Sequence, residues 1–196
     1  LCENGTSTNG GAMKVAPIGL FNPGNVDKAI DDAIILCHVT HDNVIALSGA
    51  CAVAAAVSKA MVSNATVSDV IEAGVYGASE GYKRAARIAR PAAGPNIEKR
   101  IRLAVELGLK YGHDFEKVIT EISDIIGTGL AAAEAVPAAF GFLAAAGGDV
   151  MQTIYMSVNA GNDSDTVATM AGAMAGAVSG VENIPSGHLE LLDQVN

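Results

Sequence analysis

Residues 162–166 read Asn-Asp-Ser-Asp-Thr, and the stretch that follows, "VATMAGAMAGAVSG", is almost entirely Ala, Gly, Met and Val. Residues two apart do not share a helix face. Asp163 and Asp165 can therefore meet at one point only where the backbone is not yet helical. Carboxylates brought together repel unless a cation lies between them. A hard divalent ion such as Mg²⁺ accepts this donor set: carboxylate oxygens, the Thr166 hydroxyl, and waters completing the shell. The plainer alternative is that Asp163 or Asp165 only caps the helix that follows. In either case the small residues have a use. Gly172, Gly176 and Gly180 recur at every fourth position, a stripe along which a neighbouring helix can approach closely. The acidic turn would then sit on the buried start of a rigid helix, steadied by its positive end.

Other residue types narrow the chemistry. Asn9-Gly10-Gly11 precedes a helix-like run, so its amides could face an anion. The chain has 12 basic against 21 acidic residues, a net charge of −9. That balance argues against a nucleic-acid partner and leaves local amides or a metal to hold any anionic ligand. His38 and His41 form an HxxH pair with no third ligand close by, which argues against zinc; His41 reads as a helix-end cap or a ligand contact. Glu134 lies in an otherwise apolar segment, where a lone carboxylate is costly. It must bond loop amides or serve a site. The "KRAARIAR" run at 83–90 reads as a solvated helix face. Cys2, Cys37 and Cys51 show no CxxC spacing, which predicts reduced thiols and a cytoplasmic protein. No basic-then-apolar leader is visible. The longest apolar stretch, 127–148, carries Glu134 and Pro137 and reads as buried helix, not as a membrane span.

The elements that must position these residues are helices. Residues 1–12 are rich in Gly, Asn, Ser and Thr and predict a loop. Helical periodicity runs over 26–39, 44–62, 67–89, 96–110 and 115–126, then 130–146 and 148–160. The segment from 163 and a short last helix after Pro185 follow. Asp42 is the expected cap of the second of these, and Thr66 or Ser68 of the third. The helix over 44–62 is apolar almost all round and should be central. Sustained period-2 alternation is absent. The sequence therefore predicts an all-α, single-domain bundle of about nine or ten helices spanning 1–196.

Four blocks in order resemble the ADP-ribosylglycohydrolase family, which includes the dinitrogenase-reductase-activating glycohydrolases. They are "STNGGAMKVAPIGL" (7–20), "VTHDN" (39–43), "GTGLAAAEAVPAAFGFL" (127–143) and "NAGNDSDTVATMAGAMAGAVSG" (159–180), with Ile184-Pro185 where the family has Ile-Pro. The resemblance implies an orthogonal all-α bundle that hydrolyses an ADP-ribosyl N- or O-glycosidic bond. It implies two divalent cations, Mg²⁺ or Mn²⁺, with Asp163, Asp165 and Thr166 among their ligands. It lines the ADP-ribose pocket with Ser7, Asn9, Gly10, Gly11 and His41, and with Thr128 and Gly129. The expected partner is ADP-ribose or an ADP-ribosylated substrate.

The chain departs from the family pattern in three places. Asn162 replaces a Gly but tolerates positive φ. Lys14 replaces an Arg, keeping charge and losing a bidentate fork. The family's Thr-Asp-Asp, with a further acid upstream, is absent; Asp31-Asp32 follows Ile30 in a helix after the Met-Lys-Val-Ala-Pro block. With a start at Leu1, this predicts a fragment, a partner segment on a separate N-terminal chain, or a protein that has lost half its metal site. The catalytic acid is expected in that N-terminal segment. The alternative is a non-enzymatic relative, crystallin-like or a ligand-binding remnant.

Overall fold

The computed structural model of the chain describes residues 7–195. Two short helices, α1 (Gly10–Met13) and α2 (Ala16–Phe21), open it, and Pro17 in the first turn of α2 gives up an amide that has no helical partner there. The 1–12 loop reading is thus corrected at its end: Gly10, Gly11 and Ala12 are helical, and residues 1–6, with Cys2, lie outside the described part. Side-chain caps then set the helix starts. Asn25 accepts from the Lys28 amide to begin α3 (Val26–His38), and Asn43 accepts from the Ala46 amide at 2.9 Å to begin α4 (Val44–Ala60). Asp42, the expected cap of α4, is drawn off instead by His38 (2.9 Å) and by the Arg90 guanidinium (2.9 Å). Thr66 and Asp69 form a reciprocal capping box for α5 (Val67–Ala85). Asn96, Asp114 and Asp149 cap α6 (Ile97–Tyr111), α7 (Phe115–Ile125) and α9 (Val150–Asn159); between the last two lies α8 (Ala132–Ala145). The chain ends with α10 (Ser164–Ser179), a 3₁₀ turn and α11 (Ser186–Val195).

The all-α expectation holds: among the described residues there are eleven α-helices, nine of them ten residues or longer, and no strand. None is long and apolar enough to cross a membrane. As its composition predicts, α4 is the core, buried along nearly its whole length. It can be so because α5 lies on it through glycines. A Cβ at Gly77 would come 2.5 Å from Cys51 O, and one at Gly81 would come 2.4 Å from Cys51 Cβ. A second seam joins α6 to α8, where a Cβ at Gly108 would stand 2.3 Å from Gly141 O. The stripe expected to receive a neighbour on α10 behaves differently. Gly172 meets Ile154, Gly180 is the C-cap at φ 83°, and the space over Gly176 is open.

The basic run at 83–90 is not just a solvated face. Arg84, one quarter exposed, reaches across to α3, where it bonds Asp27 and Asp31, and Tyr76 donates to Asp27 at 3.0 Å. The Arg84 guanidinium, helped by the Tyr76 hydroxyl, holds the Asp27 carboxyl below its ordinary range. Burial works against charge on Asp42, but the Arg90 amide, His38 and the Arg90 guanidinium outweigh it and lower that carboxyl too. A carboxyl depressed in the folded state stabilises fully above its unfolded pKa, and that stabilisation is lost as pH falls toward the folded value. Urea midpoints should therefore stay level from neutral pH down to about pH 5 and drop below about pH 4. Replacing Arg84 with Met should flatten part of that drop.

Candidate active site

Four segments distant in sequence come together at one end of the bundle. The stretch before α1 runs beside the loop before α8: the Asn9 amide donates to Leu130 O at 3.0 Å, and the Ala132 amide to Ser7 O at 2.8 Å. Ser7 Oγ donates to Asn43 Oδ1 at 2.9 Å, tying the same stretch to the start of α4. The 127–131 loop in turn grips the turn before α10. The Asp163 amide donates to Thr128 O at 3.1 Å, and Asn162 Nδ2 to Thr128 Oγ1 at 3.3 Å. Asn162 stands at φ 54°, the left-handed conformation its side chain tolerates, as expected where the family has Gly. Glu134 resolves toward loop amides: its Oε2 accepts from Gly129 N at 3.1 Å.

Asp163 occupies the N-cap position of α10, yet it takes no hydrogen bond from that helix's amides. Its Oδ2 accepts from Asn9 Nδ2 at 2.5 Å, across 154 residues of sequence, and Asn9 is only 3% exposed. The capping alternative for Asp163 therefore lacks its defining bond. Asp165 lies one residue inside the helix and is exposed, while Thr166 is buried with its hydroxyl 3.7 Å from Met13 Sδ. Beside Asp163 a hollow of about 460 Å³ is lined by Gly129, Leu130, Asn162 and Asp163. Among the described residues no group of three His, Cys, Asp or Glu side chains gathers at one point.

His41 packs against α1 at Gly10 and Gly11. Its Nδ1 lies 2.8 Å from Thr40 Oγ1, to which Lys14 Nζ donates at 2.9 Å. Gly10 packs against the ring, and a Cβ there would come 2.7 Å from Nε2. Gly10→Ala should swing the imidazole aside. Because the ring is the mobile partner, stability should change by under about 1 kcal/mol. The imidazole proton resonances of His41 should shift, and any contact it makes with a ligand should weaken.

The structure thus joins Asn9, Thr128 and Gly129 to Asp163, joins Ser7 to Asn43, and sets Gly10 and Gly11 against His41. Asp165 is exposed, and Thr166 is buried beside Met13. The Asn9–Asp163 contact and the Asn162–Thr128 clasp have no local pattern in the sequence that would announce them.

The pattern of the family described as ADP-ribosylglycohydrolase matches residues 2–196. The chain is 30% identical over 195 residues to the uncharacterized protein YegU of Escherichia coli (strain K12), covering 99% of this chain and 57% of that protein. It is 31% identical over 196 residues to the ADP-ribosylhydrolase ARH3 of Bos taurus, covering 92% of this chain and 52% of that one. A stretch of 40 residues is 50% identical to the ADP-ribosyl-[dinitrogen reductase] glycohydrolase of Rhodospirillum rubrum, 20% of this chain and 14% of that protein. The chain therefore spans about half the length of the curated relatives it matches. With a match that runs almost end to end, this chain belongs to the ADP-ribosylglycohydrolase family.

Proposed function

We propose that the chain serves a metal-dependent hydrolase of an ADP-ribosyl N- or O-glycosidic bond, on a protein side chain or on a small ADP-ribose derivative. The observation that carries this is Asp163: a carboxylate at a helix start, turned from its own amides and held from across the fold by a buried Asn9. The names of two relatives, an ADP-ribosylhydrolase and an ADP-ribosyl-[dinitrogen reductase] glycohydrolase, support the bond type.

The donor set suits a hard cation in kind. Asp163, Asp165 and Thr166 offer two carboxylates and a hydroxyl, all oxygen, and would hold Mg²⁺ or Mn²⁺ with waters filling the remaining positions. In number the set is too small to close shells around two cations, so further donors must come from elsewhere. A bound cation of this type supplies Lewis acidity toward ribose hydroxyls and an acidified water at the anomeric carbon. The chain's own residues position. Asn9 fixes the Asp163 carboxylate, Thr128 and Gly129 shape the loop beneath it, and Ser7, Gly10, Gly11 and His41 form the neighbouring wall.

Calorimetry with ADP-ribose, with and without Mg²⁺, tests the reading together with release of ADP-ribose from a modified arginine. Mg²⁺-dependent binding with feeble release is the expected result. No binding at millimolar ADP-ribose and Mg²⁺ would defeat it. One observation favours a second reading, a ligand-binding protein without turnover: no third acid joins Asp163 and Asp165 among the described residues. Tight binding with no release at all would select it.

A further inference from the structure

Glu134 is the one charged residue of α8, a helix otherwise built of Ala, Val, Pro, Phe, Gly and Leu. It stands third in the helix, behind an N-cap, Ala131, that makes no side-chain cap bond. A Glu at this place ordinarily reaches the amide of the N-cap residue. Here it goes two residues further back, where Oε2 accepts from Gly129 N at 3.1 Å. The loop is shaped around that carboxylate. A Cβ at Gly129 would come 2.7 Å from Oε2, and one at Gly127 would come 3.0 Å from it. At the start of the loop Arg100 donates to Ile126 O, so both ends are held. Between the two glycines lies Thr128, fully buried, with its polar groups taken up by the turn before α10. Its carbonyl accepts from the Asp163 amide at 3.1 Å. Its hydroxyl accepts from Asn162 Nδ2 and donates to Gly161 O, each at 3.3 Å.

We propose that Glu134 is a positioning residue of the candidate site, acting on Asp163 through the 127–131 loop. The path runs from the Glu134 carboxylate to the Gly129 amide, along the chain to Thr128, and from the Thr128 carbonyl to the Asp163 amide. Asp163 is then fixed from two sides. Asn9 holds its carboxylate, and Glu134, by way of Thr128, holds its main chain. The same carboxylate sets Gly129, which with Leu130 walls the hollow beside Asp163. Glu134 is not itself a wall of that hollow, so it acts at one remove. The proposal rests on the functional reading for what Asp163 binds, and not for how Asp163 is held.

Amide hydrogen exchange followed by NMR provides the test. Glu134→Ala removes a hydrogen bond to a charged group, and the Asp163 amide should then exchange at least about tenfold faster. The Leu47 amide of the buried α4, which donates to Asn43 O, should keep its rate. Glu134→Gln keeps a carbonyl acceptor for Gly129 and should bring the Asp163 rate back near that of the unsubstituted protein. Gly129→Ala displaces the carboxylate by another route and should reproduce Glu134→Ala. A role confined to starting α8 would speed only the amides at positions 134 and 135, which donate to Ala131 O. That pattern, with Asp163 unchanged, overturns the proposal. Calorimetry with Mg²⁺ should show affinity about tenfold lower in Glu134→Ala, the low end for a supporting residue of a metal site. Equal Mg²⁺ affinity in the two proteins also overturns it. Absence of Mg²⁺ binding from the unsubstituted protein defeats the functional reading instead, and the exchange rates still decide how Asp163 is held.

Discussion

Asp163→Asn is expected to remove Mg²⁺-dependent ADP-ribose binding while leaving the fold untouched. The amide is the same size as the carboxylate, and its carbonyl still accepts from Asn9 Nδ2, so no buried donor is orphaned. Unfolding free energy should change by no more than about 0.5 kcal/mol. A charged oxygen donor is lost, however. Removing a mere supporting partner costs roughly 10–100-fold in metal affinity, and loss of a ligand should exceed the top of that range. The substitution separates two accounts of the same residue. Asn caps helices as well as Asp does, so a capping role predicts no change in any measurement. Calorimetric titration with Mg²⁺, alone and with ADP-ribose, gives the affinity; circular dichroism during urea unfolding gives the stability. Unchanged Mg²⁺ affinity in Asp163→Asn would sink the metal assignment.

The largest loss of stability is expected from Phe140→Ala. Phe140 is fully buried in α8, and its ring edge fills the space over Gly74 of α5. Truncating a buried Phe typically costs about 3–5 kcal/mol, from lost transfer energy and the cavity left behind. Gly74→Ala alone should also destabilise, by about 1–3 kcal/mol, since its methyl would stand 2.3 Å from the ring carbons Cε1 and Cζ. Combined, the two should not add. In the Phe140→Ala background the methyl at position 74 enters vacated space, and the helix gains about 1 kcal/mol from replacing Gly by Ala. The second substitution should therefore reverse sign and stabilise. Denaturant unfolding of the four proteins in this cycle measures the coupling. An additive result would mean that the ring does not bear on Gly74.

How much of this was legible in the sequence differs between fold and site. Helices were legible because their signals are local: apolar residues at helical spacing on 26–38 and 115–125, and Thr66 with Asp69 for a capping box. The all-buried α4 showed in its composition. Which glycines mediate packing was not legible. The regular stripe on α10 draws attention, yet its middle member faces open space, while the less regular Gly77 and Gly81 carry the α4–α5 seam and Gly74 makes room for Phe140. Spacing states that an approach is possible and not which helix makes it. The same limit governs Asp42 and Asn43, adjacent residues that can both cap. The choice is made by Arg90, 48 residues on, which claims Asp42. In the candidate site, motif blocks named Asn9 and Asp163 separately. Their bond is a product of the whole fold.

The α4–α5 seam has a mechanical corollary. A screw of α5 by one residue, about 100° around its axis and about 1.5 Å along it, would bring Ala78 and Tyr82 to the places of Gly77 and Gly81, where even one methyl collides with main chain or buried atoms. The pair is keyed like a shaft in its slot. It can travel only as one solid piece, and any give around the hollow beside Asp163 must come from the short segments threaded past it.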